Sequence, residues 1–336
     1  MKHAIRTGTV FAFASLCLCS GADAKIVTFQ LPQHARGMYL TGMNEKGHVT
    51  GYADDVRNGA LRGFLWKKDG GFSTFLVPAP NGRGGDDVER IYATGITNDD
   101  VITGWLLGSG GFVRTADGTF TTFQLGQSTY VYGVNGKGWS VGSYAQNQQG
   151  LTQPFLRDPS GATKEFTVPG ATGGAAATVL NRSRMIAGVA VVQGGEQAFF
   201  RPAHGAATLF GHVHYSVLPT GINAAGTVTG WFQNTKQYSA RYTSFVRTSD
   251  GVLTTFVGPN HATVTSAVAI NNSGTIAGTF LDSTGTHGFL RFADGTFTPF
   301  DIEGATWTGI YVLNDKGEIA GEYGTKDGVF GFAGKP

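Results

Sequence analysis

The chain has 336 residues, with 25 Lys+Arg against 23 Asp+Glu and a formal net charge of +2 at pH 7. So balanced a charge excludes the basic excess that binding to nucleic acid or to an anionic membrane requires. Glycine is abundant at 52 residues while apolar residues make up 41%, a pairing that fits many short strands and tight turns better than disorder.

Residues 1–24 read as a signal peptide. Lys2, His3 and Arg6 form a basic start, "TVFAFASLCLC" is an apolar run, and "ADA" (Ala22–Ala24) is a small-residue cleavage site before Lys25. The run is too short to cross a bilayer, and no other stretch qualifies. Cys17 and Cys19 each follow a leucine, against a lipoprotein signal, and no cysteine lies beyond them. Residues 25–336 are therefore expected to form one domain without disulfides, secreted or periplasmic after cleavage near Ala24.

The next stretch, "KIVTFQLP" (25–32), has the form of "GTFTTFQL" (118–125), which closes a repeat unit. The unit is built on a ten-residue phrase that occurs seven times: "GMNEKGHVTG" (42–51), "GITNDDVITG" (95–104), "GVNGKGWSVG" (133–142), "VLNRSRMIAG" (179–188), "GINAAGTVTG" (221–230), "AINNSGTIAG" (269–278) and "VLNDKGEIAG" (312–321). Its final glycines recur about every 45 residues, a propeller-blade length. The third position is Asn in every copy but Thr97, and Gly follows three residues later in five copies. Asn opening a turn and Gly where φ is positive make a tight hairpin, so each phrase predicts a first strand, a turn and a second strand. A residue repeated at one turn position in nearly every unit reads as structural rather than catalytic.

A second hairpin follows in each unit. Phe64, Phe112, Phe155, Phe199, Phe245, Phe289 and Phe332 open it; Phe75, Phe123, Phe166, Phe210, Phe256 and Phe300 close it. Turn phrases such as "ADGT" and "SDGV" lie between them. These phenylalanines are expected to fill the space between neighbouring blades. Arg114, Arg157, Arg201, Arg247 and Arg291 each stand two residues after the opening Phe, a pattern expected of a repeated stacking contact or ion pair at the blade edge. The seventh unit lacks a fourth strand, and "KIVTFQLP" has the right form to supply it. The expected fold is all-β: a seven-bladed β-propeller of four-stranded blades, closed by the N-terminal strand completing the last blade.

The two turns inside each unit hardly vary in length, whereas the second-to-third and fourth-to-first connections do. Both variable connections fall at one end of an antiparallel blade, so binding or catalysis is expected at that loop end, near the mouth of the central channel. Its candidate residues, in chain order, begin with His34. Arg83, Asp86, Asp87 and Glu89 follow in "VPAPNGRGGDDVERIY". His212 and His214 lie in "GHVHYS", and Lys236, Tyr238, Arg241 and Tyr242 in "FQNTKQYSARYT". His261 and His287 complete the set. Aromatic and bidentate polar side chains side by side suit a carbohydrate or peptide. His212 and His214, two apart on a strand, point to one side, and with His261 they are candidates for a divalent metal or a general base. His34 and His261 share a register five residues after their strand-closing Phe, which fits a structural role as well. No Walker, H-E-x-x-H, G-x-S-x-G or EF-hand motif occurs, nor a Trp-Asp pair.

The stretch "AINNSGTIAGTFLDSTGTHGFLRFADGTFTPFDIEGA" (269–305), with His287-Gly288-Phe289 in place of a His-Ala-Phe step, resembles the HAF-family extracellular repeats of bacteria. The likeness runs over nearly all of residues 25–336. Units three and four depart most, with Ser140 and Arg184 at usually apolar or glycine positions. The resemblance implies an exported β-repeat protein and implies no reaction. The expected function is a binding or interaction module for an extracellular glycan, polymer or protein, with no obligatory cofactor. The alternative is a lyase or hydrolase using the loop-end histidines, with or without a metal.

Overall fold

A computed structural model describes residues 25–30, 35–55, 59–77, 90–108, 110–146, 151–214, 216–233 and 241–336. Residues 1–24, expected to be a signal peptide, lie outside them. The described residues form 28 β-strands, and no helix among them is long and apolar enough to cross a membrane.

The expectation of seven separate four-stranded blades needs correction. The strands group into six sheets, five of four strands and one of eight, and no sheet closes on itself. The eight-stranded sheet arises at one junction between units. There the strand Tyr242–Arg247 carries a parallel bridge, Tyr242 to Val264, to the strand Val264–Ile270 of the following unit. The N-terminal strand Lys25–Gln30 pairs antiparallel with Gly328–Lys335, from Lys25–Lys335 through Gln30–Phe330. It is the outer strand of the sheet that continues through Ile319–Thr325 to Trp307–Leu313.

The first strand of each unit is innermost. These seven strands are Ala35–Met43, Ile91–Ile96, Ser128–Val134, Ala175–Leu180, Ser216–Ile222, Val264–Ile270 and Trp307–Leu313. Together they line a central cavity of about 280 Å³. Each touches the next, and Trp307–Leu313 returns to Ala35–Met43. Every one of them carries a register shift near its turn end, beside Thr41, Thr94, Tyr132, Thr178, Thr220, Val268 and Tyr311. Such a bulge bends and twists a strand. The Thr41, Thr178 and Thr220 hydroxyls there donate to the carbonyls of Ala93, Pro219 and Ala267 in the next unit, at 2.7, 2.7 and 2.8 Å.

The core is a series of clusters between sheets. The seven opening phenylalanines are at most 2% exposed. Each ring lies against the final glycine of its own phrase: a Cβ on Gly51, Gly104, Gly142, Gly188, Gly230, Gly278 or Gly321 would fall 2.7–2.9 Å from it, and inside the van der Waals shell of a first-strand carbonyl oxygen. Glycine is required here by close approach rather than by φ. The five repeated arginines stack on the preceding unit, with Arg114, Arg157, Arg201, Arg247 and Arg291 lying 4.8, 4.2, 4.9, 5.1 and 4.9 Å from the rings of Phe75, Phe123, Phe166, Phe210 and Phe256.

The repeated asparagines do two jobs. The Oδ1 of Asn44 accepts from the backbone N–H groups of Lys46 and His48, holding the hairpin, and Asn135, Asn181 and Asn314 do the same in their own turns. Their Nδ2 groups donate to the equivalent carbonyl of the next unit: Asn44 to Thr97, Asn135 to Asn181, Asn181 to Asn223, Asn223 to Asn271, Asn271 to Asn314, and Asn314 back to Asn44. The ring is broken at Thr97, whose side chain accepts from Asp99 and Val101 but has no amide to give. Around this gap Asp100 accepts from Asn44 and His48, each at 2.8 Å.

Candidate functional site

Several loop-end residues singled out by sequence fall outside the described residues: His34, Arg83, Asp86, Asp87, Glu89, Lys236 and Tyr238. The strand Thr208–His214 includes His214, but its side chain is also outside them. That strand is outermost in its sheet. His212 on it is exposed and borders a small apolar cleft with Phe210, Val217 and Phe245. His261 is exposed, at φ 57° in the connection before Val264. Among the described residues, no group of three or more His, Cys, Asp or Glu side chains could hold a metal ion.

His287 is the most engaged of these histidines. Its Nδ1 lies 2.9 Å from an Asp301 oxygen and its Nε2 2.8 Å from the Thr284 hydroxyl. A carboxylate only accepts, so Nδ1 carries a proton. Thr284 lies 2.6 Å from Asp282, to which its hydroxyl donates, which leaves Nε2 facing an oxygen lone pair rather than a proton to abstract. The arrangement resembles a Thr-His-Asp triad in connectivity but is wired as a clasp. Hydrogen bonds from Thr284 and Asn260, with the His287 charge, hold the Asp282 carboxyl well below the usual carboxylate range. Asn260 is the neighbour of His261 and bonds Asp282 at 3.1 Å, so the two connections touch without pairing their histidines.

Tyr242 is placed differently. Its ring meets Trp231 edge-on at 4.9 Å, and Arg241 beside it is exposed. Trp231 immediately follows a phrase-ending glycine, Gly230, and the same register holds Tyr52 after Gly51 and Trp105 after Gly104. These positions, with tyrosines on the innermost strands, form a feature that reading the sequence loop by loop misses.

Tyr39 stacks on Tyr52 at 4.8 Å; Tyr52 meets Tyr92 edge-on at 5.0 Å; Tyr92 stacks on Trp105 at 3.8 Å; Trp105 meets Tyr130 edge-on at 5.0 Å; Tyr130 stacks on Tyr132 at 6.2 Å. The result is an unbroken arc of six rings across the first three units. It starts at Tyr39, which is 55% exposed, and its other members are half-buried. The first-strand members lie on the loop side of the bulges, apart from Tyr132, which is itself the bulge residue and lines the cavity. Burial pushes the Tyr52 phenol up, helped by Tyr39 and Tyr92. Burial does the same to Tyr132, against a hydrogen bond with Ser143.

The arc approaches an acid at its Tyr39 end. Glu322 follows Gly321, the register that holds Tyr52 and Trp105 in the first two units. It is 7% exposed, and burial pushes its carboxyl up to about 7 against a hydrogen bond from the Met38 backbone amide. Tyr311, on the adjacent innermost strand, is pushed up to about 12 by burial, with Glu322 and Tyr39 contributing. The sequence signal was present: one charged residue at a position uncharged in the other six phrases.

No protein-family model and no curated protein matches the chain, so the HAF resemblance rests on the repeat phrases alone. Solved structures do match. A streptogramin B lyase is 14% identical with a TM-score of 0.58, the alignment covering 93% of this chain and 98% of that one. A catalytically inactive virginiamycin B lyase from Staphylococcus aureus with quinupristin is 14% identical with a TM-score of 0.58, over 93% and 99%. TolB from Acinetobacter baumannii is 10% identical with a TM-score of 0.50, over 86% and 79%. At these identities the likeness is one of fold: the chain is of β-propeller type.

Proposed function

We propose that this is an exported binding protein of propeller type that takes an extracellular glycan on the aromatic arc, with the variable loop-end connections completing the site. The observation that carries this reading is the continuous run of tyrosine and tryptophan rings from the exposed Tyr39 through half-buried members to Tyr132. Such rings offer an apolar face to the C–H face of a sugar and a hydroxyl or indole N–H to its edge. A series of rings in line suits a polymer that presents one unit after another. Export rests on the leader-like residues 1–24.

Calorimetric titration against a panel of neutral, acidic and amino oligosaccharides tests the reading. A member of the panel should bind, and Tyr92→Ala and Trp105→Ala should each weaken it about tenfold, roughly 1.4 kcal/mol. His287→Ala, remote from the arc, should leave affinity unchanged. Binding that survives both ring deletions would place the ligand elsewhere. Product analysis in the same samples reads out the lyase or hydrolase alternative: chain cleavage lost in His287→Ala or His261→Ala would favour it.

A further inference from the structure

The last unit meets the first along a seam, and the two halves of that seam are held differently. At the turn end the contacts are polar and fully paired. Asn314 donates to the Asn44 carbonyl at 3.1 Å, the Asp315 amide donates to Glu45 at 3.2 Å, and Lys68 forms an ion pair with Glu318. Toward the loop end, the Glu322 carboxyl crosses the seam and accepts from the Met38 amide.

Glu322 sits opposite Gly309 on one neighbouring strand and Gly331 on the other. Directly opposed residues share a sheet face, so neither directly opposite position gives its carboxyl a side chain. A Cβ on Gly309 would meet the Tyr311 hydroxyl at 2.8 Å. One on Gly331 would meet the Phe29 ring, and Met38 Cε at 2.8 Å. The acid is therefore enclosed by Phe29, Met38 and Tyr311 on the face that packs against the first unit. One of its oxygens, Oε1, is buried without a hydrogen-bond partner. The equivalent positions of the other units hold Tyr52, Trp105, Ser143, Val189, Trp231 and Thr279, all uncharged.

We propose that Glu322 is a proton-operated latch on the loop half of this seam: protonated, it keeps that half closed with Tyr39 seated at the end of the aromatic arc; ionised, it opens that half while the turn half stays shut.

Among the described side chains, none compensates ionisation of the acid; that of Arg36, on Ala35–Met43, lies outside them. The innermost strand Trp307–Leu313 contributes the Tyr311 phenol, on which both Glu322 and Tyr39 of Ala35–Met43 act. On its own strand, Glu318 is committed to Lys68 and Asn314. Asp54 accepts from the Gly37 amide at 2.7 Å. On Gly328–Lys335 the cation is Lys335, at the register of Lys25 rather than of Glu322. No cation among the described residues faces the carboxyl, so a charge there must draw in water or lose its packing. The folded carboxyl holds its proton up to about 7, against an ordinary value of 4.5. The folded state thus binds more protons than the unfolded state across that window, and stability falls as pH rises through it.

The test uses the chain from Lys25 onward. Thermal melts from pH 4 to 9 and hydrogen exchange, corrected for the intrinsic pH dependence of exchange, are measured on the parent and on Glu322→Gln. The parent should lose protection in 35–43 and 319–325 as pH rises past neutrality, while 264–281 keeps its protection. Glu322→Gln should hold protection in both segments at pH 8.5 and show a flatter melting profile between pH 5 and 8. Identical profiles for parent and variant would overturn the proposal, as would loss of protection spread evenly over all units. If Glu322→Gln does not fold, carboxyl carbon NMR of the parent decides. One glutamate titrating near neutrality, with shift changes confined to the seam, supports the latch; all glutamates titrating in the ordinary range sink it.

Discussion

The phrase-ending glycines show how a single missing atom sets the geometry of a unit. At Gly230 a Cβ would collide with the Leu218 carbonyl oxygen and lie 2.8 Å from the Phe245 ring, both parts of a packed interior that cannot move away independently. Gly230→Ala should cost about 3 kcal/mol or more. Gly317→Ala should cost only about 1–2 kcal/mol, the penalty of a left-handed backbone, because its φ is +76° but nothing lies within 4 Å of the added carbon. Urea unfolding midpoints for the two variants measure the difference, and equal losses would mean that close approach is not what selects glycine. Asp100 offers a second single-residue test. Burial pushes its carboxyl up, but hydrogen bonds from His48 and Asn44 and the charges of His48 and Lys46 outweigh that and hold it below the ordinary 3.8. Its stabilisation is therefore complete above that value and is lost as pH falls through the lower folded one. Asp100→Asn should lower stability at pH 6 and flatten the acid limb of the melting profile below about pH 4.

At the scale of strands and turns, the asparagine ring is the device that ties one hairpin to the next. Its single gap makes a constructive prediction. Thr97→Asn supplies the missing amide toward the Asn135 carbonyl and keeps an oxygen for the Asp99 and Val101 amides, so it should stabilise by about 0.5–1.5 kcal/mol. A calorimetric melting temperature unchanged or lowered would show that the Asp100 cluster already fills that role. The turn and strand pattern was legible in the phrases because Asn-x-x-Gly and the Phe spacing are local chemistry, repeated from unit to unit. The sheet count was not: one bridge from Tyr242 to Val264 fuses two units, and whether two strand starts approach that closely is decided by twist, not by residue type. The aromatic arc was hidden for a related reason. Tyr39, Tyr52, Tyr92 and Trp105 lie on four strands, and a bulge in each innermost strand shifts the register on which their meeting depends. Loop by loop, they read as isolated aromatics. Glu322 was visible only as an odd letter in a repeat, and its meaning comes from the seam it faces.

Across the whole molecule, the proposed function rests on asymmetry between nearly equal units. The turn end is uniform, tied by asparagine side chains, and gives a ligand little to distinguish. The other end carries rings in the first three units, Trp231 and Tyr242 in the fifth, the His287 clasp in the sixth and a buried acid in the last. The histidine candidates divide accordingly: His212 lies on an outermost strand and His287 is held by Asp301 and Thr284, whereas the rings converge. A crystal structure of the protein with the tightest-binding oligosaccharide of the panel tests glycan binding on the arc most directly. The expected result is a sugar ring face packed against Tyr92 and Trp105, with further units running toward Tyr39. A ligand seated on the turn end, or on the outer strands beside His212, with the arc bare, would contradict it.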